Sequence, residues 1–272
     1  MIIGISGKIN SGKDTVGKII QILTDSPHFN DKGVKGFLKR ELLSPKFINK
    51  KFADKLKDNL CSLLGCTRKQ LEDREFKEKE LPEQWWYWYM KLDGGYGTIM
   101  LDYLATTKEQ LSMYEGLVLV KPTPRLLLQL LGTEAGRDII HPNLWVIALF
   151  SDYKPVTGMH RFNPLDHDLS KGVHNALVES MYPNWVITDM RFPNELEAVK
   201  RYKGITIKVV RPCMECEGLG YHKMSCSKGK IKEHPSETAL DNATFDYVID
   251  NNGTIEELIQ KVRIILQREK II

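Results

Sequence analysis

No stretch of the chain approaches the ~18 consecutive apolar residues of a membrane span. The first ten residues, MIIGISGKIN, have neither the basic start nor the small-residue cleavage site of a secretory signal. Both absences lead to the expectation of a cytosolic protein without a membrane partner. Neither sign of charge is in large excess: 39 Lys and Arg against 35 Asp and Glu leave a formal +4. That is too weak to argue for a nucleic-acid partner, and it suits binding of a small anion. Five cysteines cannot all pair, and with no secretion signal a reduced compartment is expected. Internal repeats and low-complexity tracts are also missing. What remains is 272 residues, 42% of them hydrophobic, enough for one large domain carrying insertions.

Apolar runs alternate with amphipathic ones. Ile2–Ser6 reads as a buried strand, and Val16, Ile19, Ile20 and Leu23 have the spacing of one helix face. Residues 25–50 are polar, with Pro27, Gly33, Gly36 and Pro45, and read as a loop or irregular insertion. Residues 52–64 read as a helix, 67–80 as a charged, solvated helix, and 123–137 as a strongly apolar helix. The strands expected further on are 185–189, 205–210 and 246–250. Helices are expected at 194–202 and from Thr254 onward, the latter opened by a Thr254/Glu257 capping box. Cys61 and Cys66 read as buried thiols. This order predicts an α/β fold with a central, mostly parallel sheet flanked by helices. It gives one domain, with core segments at about 1–25, 123–211 and 233–272, an insertion at 26–122 and a lid at 212–232.

The strongest chemical signal is Gly7-Lys8-Ile9-Asn10-Ser11-Gly12-Lys13, set between the first strand and first helix. This is the G-x-x-x-x-G-K phosphate loop in the context it needs. Its glycines let the backbone curl so that N–H groups face phosphate oxygens, and the helix start adds its positive dipole end. Lys13 supplies a point charge for the phosphates. The hydroxyl residue that usually follows the lysine, and helps hold Mg²⁺, is Asp14 here, with Thr15 one place later. A carboxylate suits Mg²⁺, which takes oxygen ligands.

Four blocks then occur in order: Gly7–Thr15, Phe52–Lys57, Arg125–Arg137 (R-x-L-L-Q-x-L-G-T-E-x-G-R) and Val186–Glu195 (V-I-T-D-x-R-F-x-N-E). Together they resemble the deoxynucleoside monophosphate (dNMP) kinases encoded by large DNA phages, and the likeness spans most of the chain. It implies a P-loop kinase fold, ATP as donor, Mg²⁺, a dNMP acceptor and, for a phage protein, the host cytosol. It also makes a homodimer the oligomer to test. Phosphomevalonate and dephospho-coenzyme A kinases are the neighbouring reading, and a zinc-containing nucleic-acid-binding protein is the reading from another class.

Placing an ATP beside a monophosphate gathers anions, so Lys and Arg are needed beyond the loop. Arg137 and Arg191 are the candidates, with Asp189 supporting metal or orienting Arg191 at the end of a buried strand. By resemblance, Arg125, Gln129, Thr133, Glu134 and Arg137 line the acceptor pocket, and a Glu134–Arg137 salt bridge is the alternative. Lys55, near the start of the second helix, and Trp145, as a stacking ring, complete the set. The Trp85–Tyr89 run (WWYWY) reads either as a stacking surface or as a small local core. Arg68 and Arg74 lie in a solvated charge run. The segment Asn251–Thr254 falls where related kinases wrap adenine. Cys213, Cys216, His222 and Cys226 have donors and spacing near those of a small zinc knuckle. Three reduced thiols and a surface histidine are the alternative there.

Overall fold

The computed structural model describes residues 1–92, 98–155, 182–211 and 238–272. They form two compact units, one of residues 1–52 and 146–272, the other of residues 53–145.

The first unit is built on five parallel strands: β1 (Ile2–Ser6), β2 (Phe47–Lys50), β6 (Asn184–Met190), β7 (Ile205–Val210) and β8 (Tyr247–Asp250). Their order is β2-β6-β1-β7-β8, which puts β1 at the centre. All five residues of β1 are buried, as a strand covered on both faces requires. Alternation still decides which face each side chain serves. Ile3 and Ile5 join Val186, Ile207 and Val209 under the apolar stripes of α1 (Lys13–Asp25) and α10 (Ile255–Arg268). Ile2, Trp185 and Ile187 join Leu196 and Val199 of α9 (Pro193–Arg201) on the other face. This is the expected α/β architecture: a parallel central sheet with helices packed on both faces.

One irregularity lies in β6. Gly4 pairs with Ile187, but Ser6, two residues on, pairs with Met190, three residues on. The extra residue is a bulge, which re-aims the side chains around it. Thr188 and Asp189 lie there.

The stretch 25–50, expected as a loop, corrects to two elements: α2 (Asp31–Phe37) and the edge strand β2. The Asn30 side chain caps α2 by accepting from Gly33 N at 2.9 Å. Strand β2 alternates poorly and is exposed at Ile48, so its sequence carries little strand signal. The last helix opens as expected on Thr254, whose Oγ1 accepts from Glu257 N at 3.2 Å.

The second unit holds α3 (Ala53–Leu64), α4 (Arg68–Glu72), α5 (Arg74–Glu78), α6 (Lys108–Ser112) and α7 (Pro124–Gln129). The single charged helix expected over 67–80 is two short ones. Asp73 ends α4 and caps α5, its carboxylate accepting from Phe76 N at 2.8 Å. Cys61 and Cys66, expected to be buried, are half-buried.

A three-stranded antiparallel sheet, absent from the sequence reading, has order β4-β3-β5: β4 (Thr98–Asp102), β3 (Tyr87–Lys91) and β5 (Val118–Val120). Most of the Trp85–Tyr89 run lies in its central strand. Trp86 Nε1 donates to Leu81 O at 2.7 Å, and its ring meets Tyr103 with centroids 5.3 Å apart. The apolar helix expected at 123–137 divides into α7 and a wider π-helical stretch, Leu130–Ile140. Helix α8 (Leu144–Phe150) follows. Among the described residues no helix is long and apolar enough to cross a membrane.

Candidate active site

The phosphate loop joins the carboxyl end of the central strand β1 to the amino end of α1, the position where ligands collect in parallel sheets. Two residues make the curl possible. Asn10 and Gly12 have positive φ, 63° and 97°, and Asn and Gly are the residues that tolerate this region. Ser11 N donates back to Lys8 O at 3.1 Å and closes the turn. A Cβ on Gly7 would collide with Ser11 Oγ and would come 2.6 Å from Val209 O. The amide of Asn251, just past β8, donates to Ser11 O at 2.8 Å. The loop is thus fixed from its own turn and from the neighbouring strand ends.

Two polar groups in this cradle suit phosphate. Ser11 Oγ is buried and has no hydrogen-bond partner among the described residues. Lys13 is only 7% exposed, and its ammonium donates to Lys8 O at 3.2 Å. Lone buried polar atoms are rare, so Ser11 Oγ marks a place for an absent acceptor or donor. Lys8 stands at the outer side of the loop, 3.7 Å from Asp241.

Asp14 lies at the start of α1. Its Oδ1 accepts from Thr188 Oγ1 at 3.0 Å and from Lys51 Nζ at 2.9 Å. Partial burial raises its pKa. The hydrogen bond and charge of Lys51, the Thr188 bond and the charge of Lys13 outweigh this and leave the carboxyl below the usual range. Asp189, on the bulged end of β6, accepts from Phe52 N at 2.8 Å through Oδ1. Asp14 thus meets the Thr188 hydroxyl, and Asp189 is the next residue along β6. Carboxylate oxygens are the ligand type that Mg²⁺ takes.

Arg191 follows β6. Its backbone N–H donates to Glu195 Oε2 at 2.7 Å, and that of Phe192 donates to the same oxygen at 3.1 Å. The buried Glu195 carboxylate thus sets the turn that carries Arg191. A small pocket beside the phosphate loop is lined by Ser6, Gly7, Lys8, Arg191, Lys208 and Asp241, among others. Lys208 is tied down there by Leu240 O at 3.2 Å and Asp241 O at 3.0 Å.

In the second unit the π-helical winding explains one pairing. Gln129 Nε2 reaches Glu134 Oε1 at 3.5 Å, five residues on, a spacing that a wider helix brings into line. Glu134 Oε2 is buried and has no hydrogen-bond partner among the described residues. Thr133 and Arg137 lie on the same π-helical stretch. Trp145 is buried. Its indole N–H donates to Gly132 O at 2.9 Å, and its ring fills the space beside Gly136, where a Cβ would stand 3.1 Å away. In this unit the indole holds the π-helical stretch in place. Arg125 pairs with Glu78. Lys55 lies on α3. Arg68 is bound by Asp54 at 3.0 Å and Asp58 at 2.7 Å, and Lys57 by Glu72 at 2.7 Å, so this charge run is internally neutralised.

No protein-family model matches the chain. Two relatives do. The chain is 25% identical over 217 residues to a protein of Acanthamoeba polyphaga mimivirus provisionally named a deoxynucleotide monophosphate kinase, covering 79% of this chain and 81% of that protein. It is 26% identical over 220 residues to the deoxynucleoside-5'-monophosphate kinase of Escherichia phage T5, covering 74% and 72%. The chain is similar to two viral kinases along most of its length.

Sequence reasoning missed Lys51, Thr188, Glu195, Lys208 and Asn251 as contributors. Thr188 and Glu195 lie within the Val186–Glu195 block, where Thr188 meets Asp14 from 174 residues away and Glu195 accepts from the N–H groups of Arg191 and Phe192 just before it. For Asn251 the sequence suggests only a place in the adenine-wrapping segment. The candidate zinc ligands Cys213, Cys216, His222 and Cys226 lie outside the described residues.

Proposed function

We propose that the protein is an ATP-dependent deoxynucleoside monophosphate kinase, transferring the γ-phosphoryl group of ATP to a dNMP to give dNDP and ADP. The observation that carries the donor half is the phosphate loop, with its buried Ser11 Oγ, unpartnered among the described residues, and its enclosed Lys13. The likeness to two viral kinases supports the acceptor half.

Phosphoryl transfer asks the protein for position and positive charge more than for covalent chemistry. In this reading the loop N–H groups from Gly7 to Lys13, with Thr15 at the helix start, hold the donor phosphates. Lys13 neutralises charge as it develops on the transferred group. Asp14 and Asp189 would hold Mg²⁺, which supplies further neutralisation of the phosphate oxygens when bound. Arg191, set by Glu195, steadies anionic oxygens as a planar donor. No side-chain base is required, because the acceptor phosphate is already an anion.

For the acceptor, we assign Arg125, Arg137 and Lys55 to the monophosphate, and Gln129, Thr133 and Glu134 to the base and sugar. Glu134 Oε2 and the neighbouring Gln129 amide supply an acceptor and a donor, which suits a base edge. Trp145 acts through the π-helical stretch it supports. We propose Cys213, Cys216, His222 and Cys226 as a zinc site on donor type and spacing, with elemental analysis of purified protein as its test. ADP release in the presence of Mg²⁺, ATP and each nucleoside monophosphate tests the main assignment. Binding of ATP without transfer to any dNMP would overturn it.

A further inference from the structure

Lys51 belongs to none of the motif blocks, yet it is the residue most directly engaged with the loop's acidic group. Its backbone position is fixed from both sides. The preceding residue ends β2, where Lys50 pairs with Ile187, and the following residue, Phe52, is buried and donates its N–H to Asp189. From this anchored point the ammonium reaches Asp14 Oδ1 at 2.9 Å, the same oxygen that Thr188 Oγ1 bonds at 3.0 Å.

The pairing has a chemical reason. Where a phosphate loop ordinarily carries a neutral hydroxyl, this chain carries a carboxylate. An ionised carboxylate beside a polyphosphate repels it unless a cation intervenes. A divalent metal is one such cation, and Lys51 is another that is already in place. An ammonium hydrogen-bonded to the carboxylate and a metal ligated by it compete for the same charge.

We propose that Lys51 is the internal counter-ion of Asp14, a positioning residue that competes with the divalent metal for this carboxylate and so sets how strongly nucleotide binding depends on metal. The inference rests on the reading of the loop as the nucleotide site. In the metal-free protein Lys51 screens Asp14 and lets nucleotide bind with reduced repulsion. When metal arrives, it must displace the ammonium, which lowers the metal's advantage. By linkage the two effects are one coupling seen from either ligand.

The test is the ADP dissociation constant with saturating Mg²⁺ and with EDTA, for wild type, Lys51→Met, Asp14→Asn and the double variant. The ratio of the two constants is the metal coupling. Lys51→Met should raise it about three- to tenfold, the range of a partly exposed, charge-assisted pair. Asp14→Asn should lower it, and adding Lys51→Met to Asp14→Asn should change nothing further. Lys51→Arg keeps the charge and should stay near wild type, which separates a charge effect from a packing fault. A coupling unchanged or reduced in Lys51→Met, or altered equally with and without Asp14, overturns the inference while leaving the kinase reading standing. Wild-type protein that binds no ADP under either condition would overturn the nucleotide site itself.

Discussion

Asn251 and Ser11 are 240 residues apart in the chain, yet the Asn251 amide donates to the Ser11 carbonyl at 2.8 Å. The same amide occupies the space a side chain on Gly12 would need. Asn251 therefore acts as a clamp on the phosphate loop from the far end of β8, and a side chain at residue 12 would have to push its amide aside.

Gly12→Ala meets two costs: a left-handed backbone at φ 97° and a collision with Asn251. The conformational cost alone is about 1–2 kcal/mol. The variant should melt at lower temperature and lose most ATP affinity. Asn251→Ala, which removes the clamp and leaves the glycine, should weaken ATP binding with a smaller effect on melting. Calorimetry and nucleotide titration of the two variants distinguish the outcomes.

Lys13→Met should leave the fold intact, since the ammonium sits at the start of α1 and donates to the carbonyl of the loop's own Lys8. Turnover should fall by at least about 100-fold, the usual cost of removing a group aimed at developing charge. Circular dichroism alongside steady-state kinetics checks both halves.

Trp145→Phe removes the donor to the Gly132 carbonyl and leaves that carbonyl within a packed π-helical stretch. The loss should be about 1 kcal/mol. Trp145→Ala, which also empties the space beside Gly136, should cost about 3–5 kcal/mol. On the proposed assignment, Trp145→Phe raises the KM for dNMP more than that for ATP, and equal effects on both would remove the π-helical stretch from acceptor binding.

Glu72 offers a pH test in the second unit. Burial raises its pKa, but the bond and charge of Lys57 and the charges of Lys77 and Arg68 outweigh burial and hold it below the usual range. A carboxyl whose folded pKa is depressed adds stability above its unfolded pKa, ~4.3, and loses it as pH falls through the folded value. Glu72→Gln should therefore lower the melting temperature at pH 7, and the difference from wild type should shrink steadily below about pH 4.

Much of this was legible in the residues. The buried runs 2–6, 185–189 and 205–210 are covered on both faces, so their apolar character showed through. The phosphate loop showed because its glycines, lysine and flanking elements are contiguous. What did not show depends on long-range geometry. The edge strand β2 has an exposed face and no strong pattern. The small antiparallel sheet hid behind aromatics on both of its faces, which erased the period of two. The bulge in β6, the Lys51–Asp14 pair and the Asn251 clamp each join residues from separate elements. The π-helical winding of Leu130–Ile140 is a backbone feature, and it brings together Gln129 and Glu134 at a spacing that an ordinary helix would not align.

The most direct measurement is ADP release from ATP and Mg²⁺ with each of the four dNMPs and four NMPs supplied separately. Turnover with one or more dNMPs, and little with the ribonucleotides, is the predicted result. ATP binding with no transfer to any dNMP would contradict the assignment and direct attention to acceptors without a nucleobase.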